Sequence, residues 1–261
     1  MVRSMHWVAT LLLAFGLASS ALADGRVGIV VMHGKWGNPT TVSSFANRME
    51  RAGHRVENIE MPWSGRRSYD AGVEGFVAEI DAAFERLREK GASKFILAGH
   101  SLGAAGGLHY VTRRKIDGLI AIAPGHSPER GRLLAMFANS VARAREMVAR
   151  GEGNEKGWFD DFNTGNRTKQ VRMTAQTYLD FFAPDGPMNF TGNVAKIQPG
   201  THVLWVAPTR EEAGLKSLTA AALPLIPAGV TVVTVTPDAD HMSAPDVVVD
   251  AALQWIAQLA R

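Results

Sequence analysis

The sequence predicts an α/β fold: a mostly parallel β-sheet with helices on both faces and a helical cap inserted between two sheet strands. Three observations predict it. Short apolar runs alternate with amphipathic stretches along most of the 261 residues, and such alternation implies parallel strands joined by crossover helices. One of these runs, Lys94-Phe95-Ile96-Leu97-Ala98, leads through Gly99-His100-Ser101-Leu102-Gly103 straight into a stretch of small residues. The alternation breaks once, between 126 and 199.

Arg26 to Met32 reads as the first buried strand, followed by a Gly-rich loop from His33 to Pro39. The pattern then predicts a helix over 40–52 stopped by Gly53, a weakly alternating strand over 54–60 and a loop over 61–69. Val73, Phe76, Val77, Ile80, Phe84 and Leu87 recur at the i, i+3, i+4, i+7 spacing of an amphipathic helix, which Gly91 ends. After the strand over 94–98 and its helix to about 114, further strands are expected over 117–123, 201–207 and 229–235. The closing helix begins near Ala244, tolerates Pro245 in its first turn, and buries Val248, Ala252, Trp255 and Leu259. Within the break, Leu133, Leu134, Phe137, Val141 and Val148 suggest one helix. Val171, Ala175, Tyr178, Leu179 and Phe182 suggest a second, beyond a polar, Gly-rich stretch over 151–166. Two helices with no strand between them read as a cap at 126–199. The alternative is a long ordinary crossover on the sheet face.

Residues 1–23 read as a cleaved signal peptide: Arg3 supplies the positive end, Val8 to Ala18 the apolar run, and Ala21-Leu22-Ala23 the small-x-small cleavage signal. The run is too short for a comfortable membrane span. The expected mature chain is therefore one domain over 24–261, periplasmic or secreted, with an uncleaved anchor as the alternative. There is no cysteine, which excludes disulfides, a thiol nucleophile, thiolate metal ligands and a cysteine-linked lipid anchor. The formal net charge is only +3, and no basic cluster is interleaved with aromatics, so nucleic acid is not an expected partner. No metal is expected, because His33, His100 and His126 do not fall at helical ligand spacing and no H-E-x-x-H occurs. No G-x-G-x-x-G follows a strand, so no cofactor is expected either. Oligomeric state is left open.

Gly99 to Gly103 matches G-x-S-x-G, the turn that lifts a serine hydroxyl clear of a sheet. Small residues two before and two after the serine let neighbouring chain approach a strained backbone. With His33-Gly34 after the first strand and a late His241 before the last helix, the chain resembles the α/β-hydrolase family over nearly all of its length beyond the leader. The stretch Met61-Pro62-Trp63-Ser64-Gly65-Arg66-Arg67 resembles members of that family without an assigned substrate.

The resemblance implies a nucleophile, an acid and a histidine in that chain order. Ser101 is the expected nucleophile and His241, in the loop after the strand over 229–235, the expected base. The acid belongs after the strand 203–206, where the family usually carries aspartate and this chain carries Glu211. Glu212, Asp238, Asp240, Asp180 and Asp185 are the alternatives. Two backbone donors should form an oxyanion hole: Leu102, and Lys35 or Trp36 in the loop after the first strand. His33, His100, Trp63 and His126 are candidate pocket residues, and Trp36, Tyr69, Trp158 and Phe162 are aromatic candidates. The expected function is an exported serine hydrolase that cleaves a small-molecule carboxylic ester, or a thioester or amide, through an acyl-enzyme on Ser101. The alternatives are a silent binding protein of the same fold and an acyltransferase using the same site.

Overall fold

The computed structural model describes residues 27–163 and 167–259; the expected leader lies outside them. Among these residues six parallel strands form one sheet: β1 (Val27–Met32), β2 (Arg55–Ile59), β3 (Lys94–His100), β4 (Gly118–Ile122), β7 (His202–Val206) and β8 (Thr231–Val235). They lie in the order β2-β1-β3-β4-β7-β8, with in-register ladders such as Val30 beside Leu97 and Ile122 beside Val206. The chain steps from β1 to β2 on one side and then returns to place β3 on the other. That reversal opens a crevice at the carboxyl ends of β1 and β3, where ligands of open α/β sheets bind.

Helices cover both faces. On one side lie α1 (Ser43–Arg51), α8 (Ala244–Val247) and α9 (Val249–Leu259), which pack on Ile29, Val31, Ile96, Ile120 and Leu204. On the other lie α2 (Val73–Glu89) and α3 (Leu102–Tyr110), packed on Val30, Met32, Leu97, Leu119 and Val203. Adjacent strand residues thus feed opposite cores, as the two-residue strand period requires. The expected helix over 40–52 begins instead with a single tight turn at Pro39–Val42, because Asn38 accepts the Thr40 N–H at 2.9 Å and starts the chain turning early. Gly53, at φ 93°, ends α1.

The break in the alternation is an insertion between β4 and β7, and it corrects the two-helix reading of that stretch. It carries α4 (Gly131–Ala149), an antiparallel hairpin of β5 (Lys156–Asn163) and β6 (Arg167–Thr174), then α5 (Ala175–Phe182) and α6 (Phe190–Val194). Val171 belongs to a strand, not to the second helix. Val171 and Met173 are buried while Arg172 between them is exposed, and Phe159 and Asp161 are buried while Trp158 is 56% exposed. This is two-residue alternation with a carboxylate at an inward position, which hides the strand in the sequence. After β7 comes α7 (Ala213–Ala222), which flanks the site. Among the described residues no helix is long and apolar enough to cross a membrane.

Candidate active site

Ser101 stands at the end of β3 with φ 56° and ψ −116°, a conformation that costs a non-glycine residue roughly 1–3 kcal/mol. The surroundings hold it there. Its N–H donates to the Ile122 carbonyl at 3.0 Å, and its carbonyl accepts from Ala105 and Gly125 at 3.1 and 3.3 Å. The flanking glycines are sterically required. A Cβ on Gly99 would lie 2.3 Å from the Gly103 carbonyl oxygen, and one on Gly103 would lie 2.7 Å from the carbonyls of Met32 and His33. Ser101 and Leu102 open onto a cavity of about 410 Å³, walled also by Lys35, His126, Ser127, Phe162 and Leu215, with Arg130, Arg132 and Glu212 among its lining residues.

His241 follows β8 at the same sheet edge. Its Nδ1 lies 2.8 Å from Glu211 Oε2, and both side chains are buried. Glu211 is fixed from its other oxygen, which accepts the Glu212 N–H at 2.9 Å. A carboxylate offers only lone pairs, so the hydrogen sits on Nδ1 and leaves Nε2 as a base. Of the carboxylates open as alternatives, Asp240 is spent on the turn, accepting from Met242 N and Ser243 N. Asp238 pairs with Arg210, and Asp185 with Arg145. Asp180 accepts the Val73 N–H at 3.2 Å. Glu212 lines the cavity mouth. Among the described residues no hydrogen bond joins Ser101 Oγ to His241.

Three of the four expected pocket residues are elsewhere. His33 is fully buried, with Nδ1 donating to the Gly34 carbonyl at 2.8 Å and Nε2 accepting from Met61 N at 3.0 Å. Burial holds its pKa below the ordinary imidazole value. Trp63 is buried beneath it, donating Nε1–H to the His33 carbonyl at 2.9 Å. These two shape the loop after β1 from behind instead of lining the cavity. His100 donates from Nε2 to the His241 carbonyl at 2.8 Å, and the two rings lie 4.9 Å apart. Burial, with the neighbouring His241 adding to it, pulls the His100 pKa down to about 3, so a neutral ring braces the backbone of His241. His126 does line the cavity. Its strained φ of 75° and an Nε2–H bond to the Phe181 carbonyl at 2.6 Å tie the loop after β4 to α5. Burial, then the charge of Lys35, keeps it well below the ordinary pKa.

The loop after β1 also departs from expectation. The Trp36 N–H donates to the Trp63 carbonyl at 2.9 Å, so Trp36 is already committed and does not serve as an oxyanion donor. The Lys35 ammonium, 5% exposed, donates to Asp161 Oδ1 at 2.7 Å and to the Phe162 carbonyl at 2.8 Å. Asp161 is the residue that sequence reasoning passed over. Of the aromatic candidates, Phe162 lines the cavity, Tyr69 is buried, and Trp158 faces outward from the hairpin. Among the described residues no group of three or more His, Cys, Asp or Glu side chains is placed to hold a metal ion.

No curated protein matches the chain significantly. Solved structures do. One from the study of LipS and LipT, two metagenome-derived lipolytic enzymes, matches with TM-score 0.64 at 14% identity, covering 90% of this chain and 94% of that one. A monoacylglycerol lipase from Paleococcus ferrophilus matches with TM-score 0.61 at 18% identity, over 90% and 95%. Est1E from Butyrivibrio proteoclasticus matches with TM-score 0.56 at 15% identity, over 89% and 87%. At such identities the likeness is one of fold. The model of the alpha/beta hydrolase family matches residues 29–251, and with the parallel sheet, the turn at Ser101 and the buried His241–Glu211 pair already described, the chain belongs to the α/β-hydrolase family.

Proposed function

We propose that the protein is a serine hydrolase that cleaves a carboxylic ester through an acyl-enzyme on Ser101. The observation that carries this reading is the 2.8 Å contact between Glu211 and His241 Nδ1, since it supplies an oriented base at the sheet edge that holds the serine. The lipolytic names among its structural neighbours favour esters over other acyl compounds.

In this mechanism substrate enters the cavity and the Ser101 hydroxyl approaches His241 Nε2, a contact that commonly tightens only with substrate bound. Oγ attacks the ester carbonyl while Nε2 takes its proton, and Glu211 stabilises the imidazolium that results. The developing oxyanion is met by the N–H groups of Leu102 and Lys35. Collapse breaks the ester C–O bond, and the imidazolium returns its proton to the leaving alcohol. Water then repeats the sequence on the acyl-enzyme and releases the acid. Each donor in the oxyanion hole is worth about 10²–10³ in rate.

The sequence of residues 1–23 supports export, and with it a periplasmic or extracellular substrate. The test of the reaction is labelling by a fluorophosphonate probe together with a panel of nitrophenyl esters of graded acyl length. Ser101→Ala should abolish both signals while the protein stays folded. Parent-rate hydrolysis by that variant would refute the assignment, and a wild-type protein that neither labels nor hydrolyses would favour a silent binding protein.

A further inference from the structure

The inserted hairpin places a carboxylate, Asp161, in contact with the loop that follows β1. Asp161 is 0% exposed, and each of its oxygens takes two donors. Oδ1 accepts Lys35 Nζ and its neighbour's Phe162 N–H, both at 2.7 Å. Oδ2 accepts Trp36 Nε1–H at 2.6 Å and the Tyr69 hydroxyl at 2.9 Å. Two of the four donors thus belong to consecutive residues of the one loop that supplies a backbone donor to the proposed oxyanion hole.

Isolating a charge pair from water is costly, and such a pair adds little net stability compared with an apolar contact. What it does impose is geometry: a fully bonded buried carboxylate admits only one arrangement of its donors. The loop needs that constraint. Trp36 sits at φ 58°, where a non-glycine residue remains only if its surroundings hold it. The hairpin grips Trp36 a second time, because Lys169 of β6 places its Nζ 4.3 Å from the centre of the indole ring. On the inner side the Lys35 ammonium is boxed between the Phe137 and Phe182 rings, at 5.6 and 5.1 Å. Burial pulls the Lys35 pKa below its ordinary value, and Asp161 opposes that pull.

We infer that Asp161 is a positioning residue: through Lys35 and Trp36 it holds the loop after β1 where the Lys35 N–H meets the oxyanion. The insertion is then a working part of the site, not only its cover. The inference rests on the serine-hydrolase reading above. It also explains why a lysine that lines the same cavity as Ser101 is buried against an aspartate distant in sequence.

The test compares three variants. Asp161→Asn keeps the shape but turns an N–H toward one pair of donors. Trp36→Phe removes a donor of the loop, and Tyr69→Phe removes a donor that is not part of the loop. With a nitrophenyl ester, Asp161→Asn and Trp36→Phe should each lower kcat by about tenfold, a fraction of the loss on deleting an oxyanion donor outright, with KM within about twofold. Tyr69→Phe should leave kcat within about twofold although its Tm falls. Backbone amide exchange over residues 33–38 should quicken in the first two and not in the third. Wild-type kcat in Asp161→Asn, with only a lower Tm, would overturn the inference, as would equal losses of kcat in Trp36→Phe and Tyr69→Phe. If Asp161→Asn does not fold, the contrast between the other two decides. Should the wild type neither hydrolyse nor label, the hydrolase reading fails by itself, and unchanged exchange over 33–38 in Asp161→Asn or Trp36→Phe would separately refute the hold on the loop.

Discussion

His241 and Glu211 meet at 2.8 Å from two different loops, one after β8 and one after β7, with both side chains buried. Glutamate stands where the family usually carries aspartate. The longer side chain is accommodated because Glu211 folds back on its own loop, one oxygen on His241 and the other on the Glu212 N–H.

That pair sets the first prediction. Glu211→Gln should lower kcat by two to four orders of magnitude; about 10⁴ is lost when the orienting carboxylate of a serine protease becomes an amide, through the wrong imidazole tautomer. Glu212→Gln should stay within about threefold by the same principle, since the carboxylate 2.8 Å from His241 Nδ1 is that of Glu211. Steady-state kinetics of the two variants, with circular dichroism to check folding, decide the matter. A larger loss in Glu212→Gln would move the role.

His100 supplies the second. Its Nε2–H bond to the His241 carbonyl holds the backbone of His241 in place, and a hydrogen bond of this kind is worth about 0.5–1.5 kcal/mol. His100→Leu should therefore lower kcat by roughly three- to tenfold. With its pKa near 3, His100 does not titrate in the range where activity rises, so the acidic limb of the pH–rate profile should keep its midpoint in this variant. A displaced midpoint would show that His100 carries a working proton.

The third concerns stability against pH. His33, His100 and His126 all have pKa values lowered by burial. For a base whose folded pKa lies below its unfolded value, the unfolded chain binds more protons at intermediate pH. Stability therefore falls as pH drops below the unfolded value near 6.5, and for His100 the loss continues to about 3. Each such group adds up to about 1.4 kcal/mol per pH unit to the slope. Chemical denaturation between pH 7 and 4 should show a steep loss, and His100→Leu should flatten it. An unchanged slope in that variant would contradict the assignment.

The fourth tests the turn at the serine. Gly99→Ala would bring a Cβ to 2.3 Å from a backbone oxygen, which nothing nearby can relieve without moving α3. It should destabilise by more than about 3 kcal/mol or prevent folding. Gly214→Ala meets nothing within 4 Å in α7 and should stabilise by about 0.5–1 kcal/mol. Thermal melts of both variants check the contrast.

The fifth concerns export. Protein recovered from the periplasm or medium should begin at Asp24 or close to it by intact mass. A full-length mass in the membrane fraction would favour an anchor.

Much of the candidate site was legible in the chain because its parts are local. A serine between glycines two residues away, an apolar strand before it and small residues after it state a turn whose tightest contact, Gly99 against Gly103, lies within five residues. The positions of Glu211 and His241 were legible because each follows an apolar strand, and parallel strands deliver their following loops to one edge. The hairpin was not legible: Asp161 interrupts the apolar alternation of β5, and Val171 and Ala175 happen to sit four apart, as on a helix. Its inward carboxylate makes sense only against Lys35, Trp36 and Tyr69, which lie 126, 125 and 92 residues away.

The sequence by itself determined the fold class, the tight turn at Ser101 and the residue types at the sheet edge, since these follow from periodicity and short-range sterics. Only the tertiary structure decided which carboxylate meets His241, that the Trp36 N–H is already spent, and that His33, His100 and Trp63 brace the site instead of lining it. Those outcomes depend on which donor and acceptor are brought within 3 Å once distant segments pack, and no local pattern encodes that distance.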